Sequence, residues 1–161
     1  MNSTLDGLTH LGLPLSPLRV SSLGDWESFV YPIPANKQTL KGRIFTTQPI
    51  RPSALHFAID GALASTQWRI AQMGDVRLED TDNPYIYRVP GCYFKMESKI
   101  VEGKAMLTYG MLVAILKALE HLLEENEQSF NTGFVLVDDE KRTWGHGEIF
   151  DKPPSPPSSV A

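Results

Sequence analysis

The chain is poor in cysteine, since Cys92 is the single one among 161 residues. An internal disulfide is therefore impossible, and zinc sites built from paired cysteines are excluded. A reducing, cytoplasmic setting is the simplest expectation for such a chain. A reactive thiol would need a neighbouring histidine or a helix N-terminus, and the sequence shows neither beside Cys92. We therefore expect this side chain to be a small buried one.

Other absences narrow the function further. No run of about 18 apolar residues occurs, so no segment is predicted to span a bilayer, and the first residues lack the pattern of a secretion signal. The net charge is −4 and the 15 basic residues are scattered, which argues against a nucleic-acid partner or an acidic membrane. Glycine-rich phosphate loops and dinucleotide fingerprints are missing. We therefore expect no cofactor.

Metal-binding spacings are also missing. The four histidines lack His-x-His or His-x-x-x-His spacing and stand apart along the chain, at His10, His56, His121 and His146. The acidic stretch at 79–84 lacks the regular spacing, central glycine and terminal glutamate of a calcium loop. The sequence therefore predicts no metal site.

Composition divides the chain into three regions. Residues 1–35 are rich in proline, glycine, serine and leucine, which predicts an extended N-terminal arm. Residues 36–150 predict a single α+β domain. Residues 151–161 contain four prolines and three serines and predict a disordered tail.

Hydrophobic periodicity predicts the elements of the domain. Strands are predicted at 37–47, 85–89, 92–101, 104–108, 133–138 and 142–150. A first helix is predicted from Pro52 or Ser53 to about Trp68, although Gly61 weakens it. A second helix is predicted after an N-cap at Thr108, with an apolar stripe that runs to Leu123. These elements predict a two-layer α+β sandwich, in which a mainly antiparallel or mixed sheet is packed by two helices.

The last predicted strand carries the first candidate site. Trp144, His146 and Glu148 occupy every second position, so a regular strand would place them on one face. In a pocket wall, Trp144 would stack on a ligand, His146 would transfer protons and Glu148 would orient the imidazole. The alternative is the ordinary polar face of an exposed sheet. Gly145 and Gly147 leave room on the opposite face for a helix or a ligand.

Tyrosines form a second candidate group. Tyr85, Tyr87 and Tyr93, with Arg88, are candidates for substrate binding beside Trp144, because phenols and indoles stack and donate hydrogen bonds. Tyr109 joins His146 and Glu148 as a catalytic candidate. The alternative is that these tyrosines are half-buried core residues.

His56 and Asp60 form a third candidate, because residues four apart touch on a helix surface. A carboxylate can hold an imidazole in one tautomer, as catalytic dyads require. An ordinary surface pair is the favoured alternative, since no Gly-x-Ser-x-Gly elbow supplies a nucleophile.

Several short segments resemble those of small α+β proteins of filamentous fungi. They are Leu-Thr-Tyr-Gly at 107–110, Phe-Val-Leu-Val at 134–137 and Trp-Gly-His-Gly-Glu-Ile at 144–149, with supporting matches at 32–34 and 87–90. The resemblance extends over residues 31–150. Some small cofactor-free proteins of fungal natural-product pathways are cyclases or pericyclases, including Diels–Alder catalysts. By analogy of size and source, the resemblance implies such an activity, but it carries over no catalytic residue.

The sequence thus supports two functional hypotheses. The first is a cofactor-independent cyclase or isomerase that acts on an apolar small molecule in fungal secondary metabolism, with a pocket walled by Trp144 and His146. The second is a non-catalytic interaction or dimerisation module, which the leucine-rich arm and the apolar helix stripe favour. A homodimer is the simplest assembly for the second.

Overall fold

The computed structural model describes residues 18–22 by their backbone and residues 25–152 with their side chains. Most of the predicted arm, at 1–17 and 23–24, and most of the predicted tail, at 153–161, lie outside the described residues. Within the described part, no helix is long and apolar enough to cross a membrane.

Seven strands form one sheet in which every neighbouring pair is antiparallel. In chain order they are β1 (Leu18–Ser22), β2 (Glu27–Ile33), β3 (Gln38–Pro49), β4 (Tyr85–Val89), β5 (Cys92–Ser98), β8 (Phe130–Asp138) and β9 (Thr143–Phe150), and a separate small hairpin comprises β6 (Ile100–Val101) and β7 (Lys104–Ala105). Their order across the sheet is β1-β2-β3-β8-β9-β5-β4. The last hairpin of the chain therefore lies in the middle of the sheet.

Two helices connect the strand groups. Helix α1 (Pro52–Met73) begins at a proline, which suits the first turn because the missing N–H has no partner there. It runs beyond the predicted end near Trp68. Helix α2 (Tyr109–Leu119) continues into a π-helical turn, Glu120–Glu125. We call these six residues the π turn.

The start of α2 is fixed by two side-chain caps. The Thr108 hydroxyl accepts a hydrogen bond from the Met111 amide at 3.2 Å, as the predicted N-cap requires. Asp75, which follows α1, accepts a bond from the Gly110 amide at 2.7 Å. The end of one helix thereby positions the beginning of the other.

Both helices pack on the same face of the sheet, which we call the covered face. Its fully buried core contains Leu40, Ile44, Phe94 and Ile149 from the strands and Leu55, Ile59, Leu112 and Leu116 from the helices. Each such side chain contributes about 1.5–3 kcal/mol when it is removed from water. The predicted two-layer α+β sandwich with two helices is confirmed, and the sheet is antiparallel.

Gly61 of α1 marks the closest approach of a helix to the sheet. A Cβ atom at this position would come within 2.4 Å of the Tyr87 ring and hydroxyl on β4. Tyr85, on the same face of β4, donates a hydrogen bond to the Ala62 carbonyl at 3.4 Å. The glycine that weakens the helix by propensity is therefore needed for helix–sheet packing.

Several element boundaries differ from the prediction. The strand predicted at 92–101 is divided into β5 and β6, and β8 begins at Phe130 and not at position 133. Phe29 and Ile33 of β2 are buried in the core, so the sheet already includes residues that precede position 36. The strand predicted at 104–108 is limited to Lys104–Ala105, because the chain then turns into the N-terminus of α2.

Candidate functional site on the open face of the sheet

The face of the sheet opposite the helices is largely exposed in the described part of the chain, although Tyr93 on this face is buried. The His146 side chain is 62% exposed and Ile86 is 41% exposed. We call this surface the open face, and its principal side chains are Trp26, Lys41, Arg43, Phe45, Ile86, Arg88, Tyr93, Lys95, Glu97, Val135, His146, Glu148 and Phe150.

Strand register aligns these side chains in rows across the sheet. The first row runs through four neighbouring strands and contains Lys41, Val135, His146 and Glu97. Because neighbouring strands lie about 4.8 Å apart, the two ends of the row are about 14 Å from each other. A cation therefore stands at one end of this row and a carboxylate at the other.

The second row lies two residues further along the strands. It contains Arg43, Gly133, Glu148 and Lys95. Gly133 has no side chain and leaves open space above the sheet. The row therefore has a basic residue at each end and one carboxylate between them.

The two candidate catalytic residues on β9 do not interact with each other as predicted. His146 Nε2 lies 3.6 Å from a carboxylate oxygen of Glu97 on β5. Glu148 instead accepts a short hydrogen bond from the Tyr93 hydroxyl. Burial, and then this bond to a carboxylate, raise the pKa of Tyr93 well above its ordinary value. The carboxylate beside the imidazole therefore comes from the neighbouring strand.

An aromatic cluster occupies one end of the open face. The ring centroids of Phe45 and Phe150 are 6.1 Å apart, and those of Phe150 and Tyr93 are 6.3 Å apart. The Arg43 guanidinium lies 4.4 Å from the ring centre of Trp26, which is a cation–π distance. This end of the open face therefore carries three neighbouring rings and one cation–π pair.

The charge of the open face differs in sign from that of the whole chain. Its basic side chains are Lys41, Arg43, Arg88 and Lys95, and its acidic ones are Glu97 and Glu148. The chain as a whole has a net charge of −4. The basic residues thus predominate here although they are scattered in the sequence, because strand pairing brings them together.

Trp144 is separated from the other two residues of its predicted site. The pairing of β8 with β9 shifts between Leu136 and Val137, which leaves Trp144 at a bulge. Its indole donates a hydrogen bond to Asp138 at 2.9 Å, and this bond is the main reason that the pKa of Asp138 is held well below its ordinary value. The predicted one-face arrangement therefore holds in the regular ladder for His146 and Glu148.

Trp144 lines a surface groove of about 330 Å³. The other lining residues are Arg77, Val101, Glu102, Lys104 and Met106. Neither His146 nor Glu148 lines this groove. The structure therefore distributes the three predicted residues of the last strand between two locations.

Tyr109, the first residue of α2, is fully buried and does not lie on the open face. Its hydroxyl donates to Asp82 at 2.7 Å and accepts from Arg69 at 3.1 Å and from the Glu79 amide at 3.2 Å. Burial is the largest of several influences that together raise its pKa. The Tyr109 hydroxyl therefore joins α2 to α1 and to the loop at 79–82. Tyr85 and Tyr87 contact α1 on the face of β4 opposite Arg88, so they do not form the predicted group with Tyr93 and Arg88.

Cys92 is a buried free thiol. Burial, with a smaller contribution from Asp151, raises its pKa to about 12. The thiol therefore stays protonated near neutral pH, which fits the expected small buried side chain.

Sequence reasoning omitted Lys41, Arg43, Lys95 and Glu97 from the site. These residues occupy every second position of two predicted strands, and the sequence shows this spacing. The sequence does not show that those strands pair with β8 and β9. No protein-family model, no curated protein and no solved structure matches this chain. Its function is therefore inferred from the chemistry of the open face and the groove.

Proposed function

We propose that this protein is a non-catalytic interaction module that forms a homodimer through the open face of its sheet. The observation that supports it most directly is the row with Lys41 at one end and Glu97 at the other. Such a row is complementary to its own reversed copy.

A twofold axis that lies in the interface, parallel to the strands, makes this complementarity explicit. If the axis passes between Val135 and His146, Lys41 of each copy faces Glu97 of the other. The same contact is therefore formed twice, as in an isologous interface. Phe45 and Phe150 at the end of the face supply apolar area that ion pairs alone lack.

The mixture of charges also favours a protein partner over nucleic acid. A phosphate backbone attracts cations along its whole length and is repelled by carboxylates. The second row places Glu148 between Arg43 and Lys95, and the first row ends at Glu97. Mixed signs of this kind suit a protein partner better than a phosphate backbone, although the reversed second row also sets Arg43 of one copy opposite Lys95 of the other.

Sedimentation equilibrium of the full chain tests this proposal with four variants. Lys41→Glu and Glu97→Lys each turn two attractive contacts of the dimer into repulsive ones. Exposed ion pairs contribute about 0.2–1 kcal/mol each, so each variant is expected to raise the dissociation constant about tenfold. The double variant Lys41→Glu/Glu97→Lys restores opposite charges and is expected to restore dimerisation. Lys117→Glu, an exposed residue of α2, is the matched control.

Rescue by the double variant distinguishes this interface from a general effect of net charge. A wild-type chain that is monomeric at all concentrations would contradict the proposal. Equal weakening by Lys117→Glu, or failure of the double variant to restore the dimer, would contradict it as well.

The groove beside Trp144 favours a second candidate function. In this alternative the chain is a cofactor-independent cyclase or isomerase of fungal secondary metabolism. Binding sites for small molecules have volumes of about 300–1,000 Å³, and the groove of about 330 Å³ lies at the lower end of this range. Arg77 and Lys104 outnumber Glu102 in its lining and favour an apolar substrate that carries an anionic group.

Binding of anilinonaphthalene sulfonate, an apolar fluorescent anion, tests the groove. Wild-type protein is expected to bind the dye and enhance its fluorescence, and Trp144→Ala is expected to weaken binding about tenfold. Trp68→Ala is the control, because Trp68 is 60% exposed on α1 and does not line the groove. Equal binding by wild-type protein and Trp144→Ala would count against this candidate.

A further inference from the structure

A cluster of metal-ligating side chains lies on the helical side of the molecule, away from the open face. His56 and Asp60 are one turn apart on α1, and Glu124 reaches them from the π turn. His56 Nε2 is 3.0 Å from Asp60 Oδ2, and His56 Nδ1 is 2.9 Å from Glu124 Oε1. One donor atom from each residue lies within 4.8 Å of the other two.

The two sides of the cluster differ in exposure. The side chains of His56 and Asp60 are 52% and 46% exposed, whereas that of Glu124 is 18% exposed. The second carboxylate oxygen of Glu124, Oε2, is buried and has no hydrogen-bond partner. A buried carboxylate oxygen without a partner has a large desolvation cost, which a bound cation offsets.

The helix geometry brings further negative charge to this point. π-helical turns are rare and occur frequently at functional sites, and this one carries both Glu120 and Glu124. It also forms the C-terminal end of α2, where the helix dipole favours cations. Three carboxylates therefore surround a single imidazole.

We propose that His56, Asp60 and Glu124 form a binding site for a divalent transition-metal ion such as Zn²⁺. An imidazole combined with carboxylates is a ligand set for zinc, whereas calcium and magnesium prefer oxygen ligands alone. Tetrahedral bonds of about 2.0–2.2 Å place donor atoms about 3.4 Å apart, so donors now up to 4.8 Å apart must approach by about 1 Å, and one nitrogen of His56 must turn towards both carboxylates. The exposed side chains of His56 and Asp60 can make this adjustment by rotation.

The site would link the two helices. His56 and Asp60 belong to α1, and Glu124 belongs to the turn that continues α2. A metal ion held by both would stabilise the folded state, because it binds the assembled site more tightly than the unfolded chain.

Isothermal titration calorimetry with ZnCl₂ tests the site on the full chain, freed of metal with a chelator and without a histidine tag. Wild-type protein is expected to bind one equivalent of zinc and to melt at a higher temperature in its presence. His56→Ala is expected to abolish this binding, and Glu124→Gln to weaken it at least about tenfold. Glu124→Gln keeps the size of the side chain and so tests the charge separately from the packing.

Two control variants, His121→Ala and His146→Ala, address adventitious binding to the other described histidines. Both are expected to leave the zinc affinity unchanged. Circular dichroism checks that each variant is folded. Absence of zinc binding by the wild-type chain, or equal affinity in wild type, His56→Ala and Glu124→Gln, would overturn the assignment.

Discussion

The two faces of the sheet use the same strands for different purposes. On the covered face, Phe94, Met96 and Ile149 are fully buried among helix side chains. On the open face, the intervening residues Lys95, Glu97 and Glu148 retain contact with water. The buried side chains contribute packing, and the exposed side chains contribute charge. Stability and recognition are therefore encoded in alternate residues of the same strands.

The two faces are expected to differ most in the free energy of unfolding that is lost when a large side chain is truncated to alanine. Phe94→Ala on the covered face creates a cavity in the core and is expected to lower the free energy of unfolding by about 3–5 kcal/mol. Ile86→Ala on the open face removes a side chain that is 41% exposed, and is expected to cost less than about 1 kcal/mol. Urea denaturation measures both, and equal losses would contradict the assignment of the faces.

Alanine substitutions at two glycines of neighbouring strands are expected to change the stability of the protein in opposite directions. A Cβ atom on Gly147 would lie 2.7 Å from the Phe134 ring and 2.5 Å from the Lys95 carbonyl, whereas one on Gly133 meets nothing within 4 Å. Gly147→Ala is therefore expected to destabilise by about 1–3 kcal/mol. Gly133→Ala is expected to stabilise by about 0.4–1 kcal/mol, because alanine restricts the unfolded chain. Thermal unfolding of both variants measures the two effects. A more stable Gly147→Ala variant would contradict the close contacts of Gly147 with Phe134 and Lys95.

Two buried tyrosines allow a hydroxyl with three partners to be compared with a hydroxyl that makes one hydrogen bond. Tyr109→Phe removes a hydroxyl bonded to Arg69 of α1 and to Glu79 and Asp82 of the following loop, and is expected to cost about 1–3 kcal/mol. Tyr93→Phe removes one bond to Glu148 on the open face and is expected to cost about 0.5–1.5 kcal/mol. Chemical denaturation compares them. A greater loss from Tyr93→Phe would show that the open face carries more of the stability than its exposure indicates.

The smallest expected effect concerns His56 at the surface of the helices. Its pKa is raised in the folded state above the ordinary value of 6.5, first by the hydrogen bond to Glu124 and then by Asp60. Its contribution to stability is therefore complete below pH 6.5 and is lost as the pH rises through the folded pKa.

Melting temperatures of wild type and His56→Gln, measured with a chelator between about pH 5.5 and about pH 8.5, test this linkage. The advantage of the wild type is expected to shrink as the pH rises. An advantage that grows with pH would contradict the direction of the shift.

Local signals in the sequence were sufficient for the helices and most strands. Thr108 and the apolar stripe of α2 lie within a few residues of each other, so the cap and the helix could be predicted together. The pairing of β3 with β8 joins residues almost a hundred positions apart, and no local pattern reports it. The open face was therefore recognised in part on β9 and missed on β3.

The same limit applies to individual contacts. The spacing of His56 and Asp60 predicts their interaction, but Glu124 is 68 residues from His56 in the chain. Likewise, strand alternation suggested Glu148 as the partner of His146, although Glu97 of the neighbouring strand occupies that position. Contacts within one element were predictable, whereas contacts between elements required the assembled sheet.

The central position of the β8–β9 hairpin has a consequence for how the protein folds during synthesis. Without residues 130–150, β3 and β5 have no neighbour on their inner sides, and the sheet exists as two separate pieces. Unpaired strand edges of this kind promote aggregation. The domain is therefore expected to close only after this hairpin has left the ribosome, and a chain cut before residue 130 is expected to aggregate instead of forming a smaller stable domain.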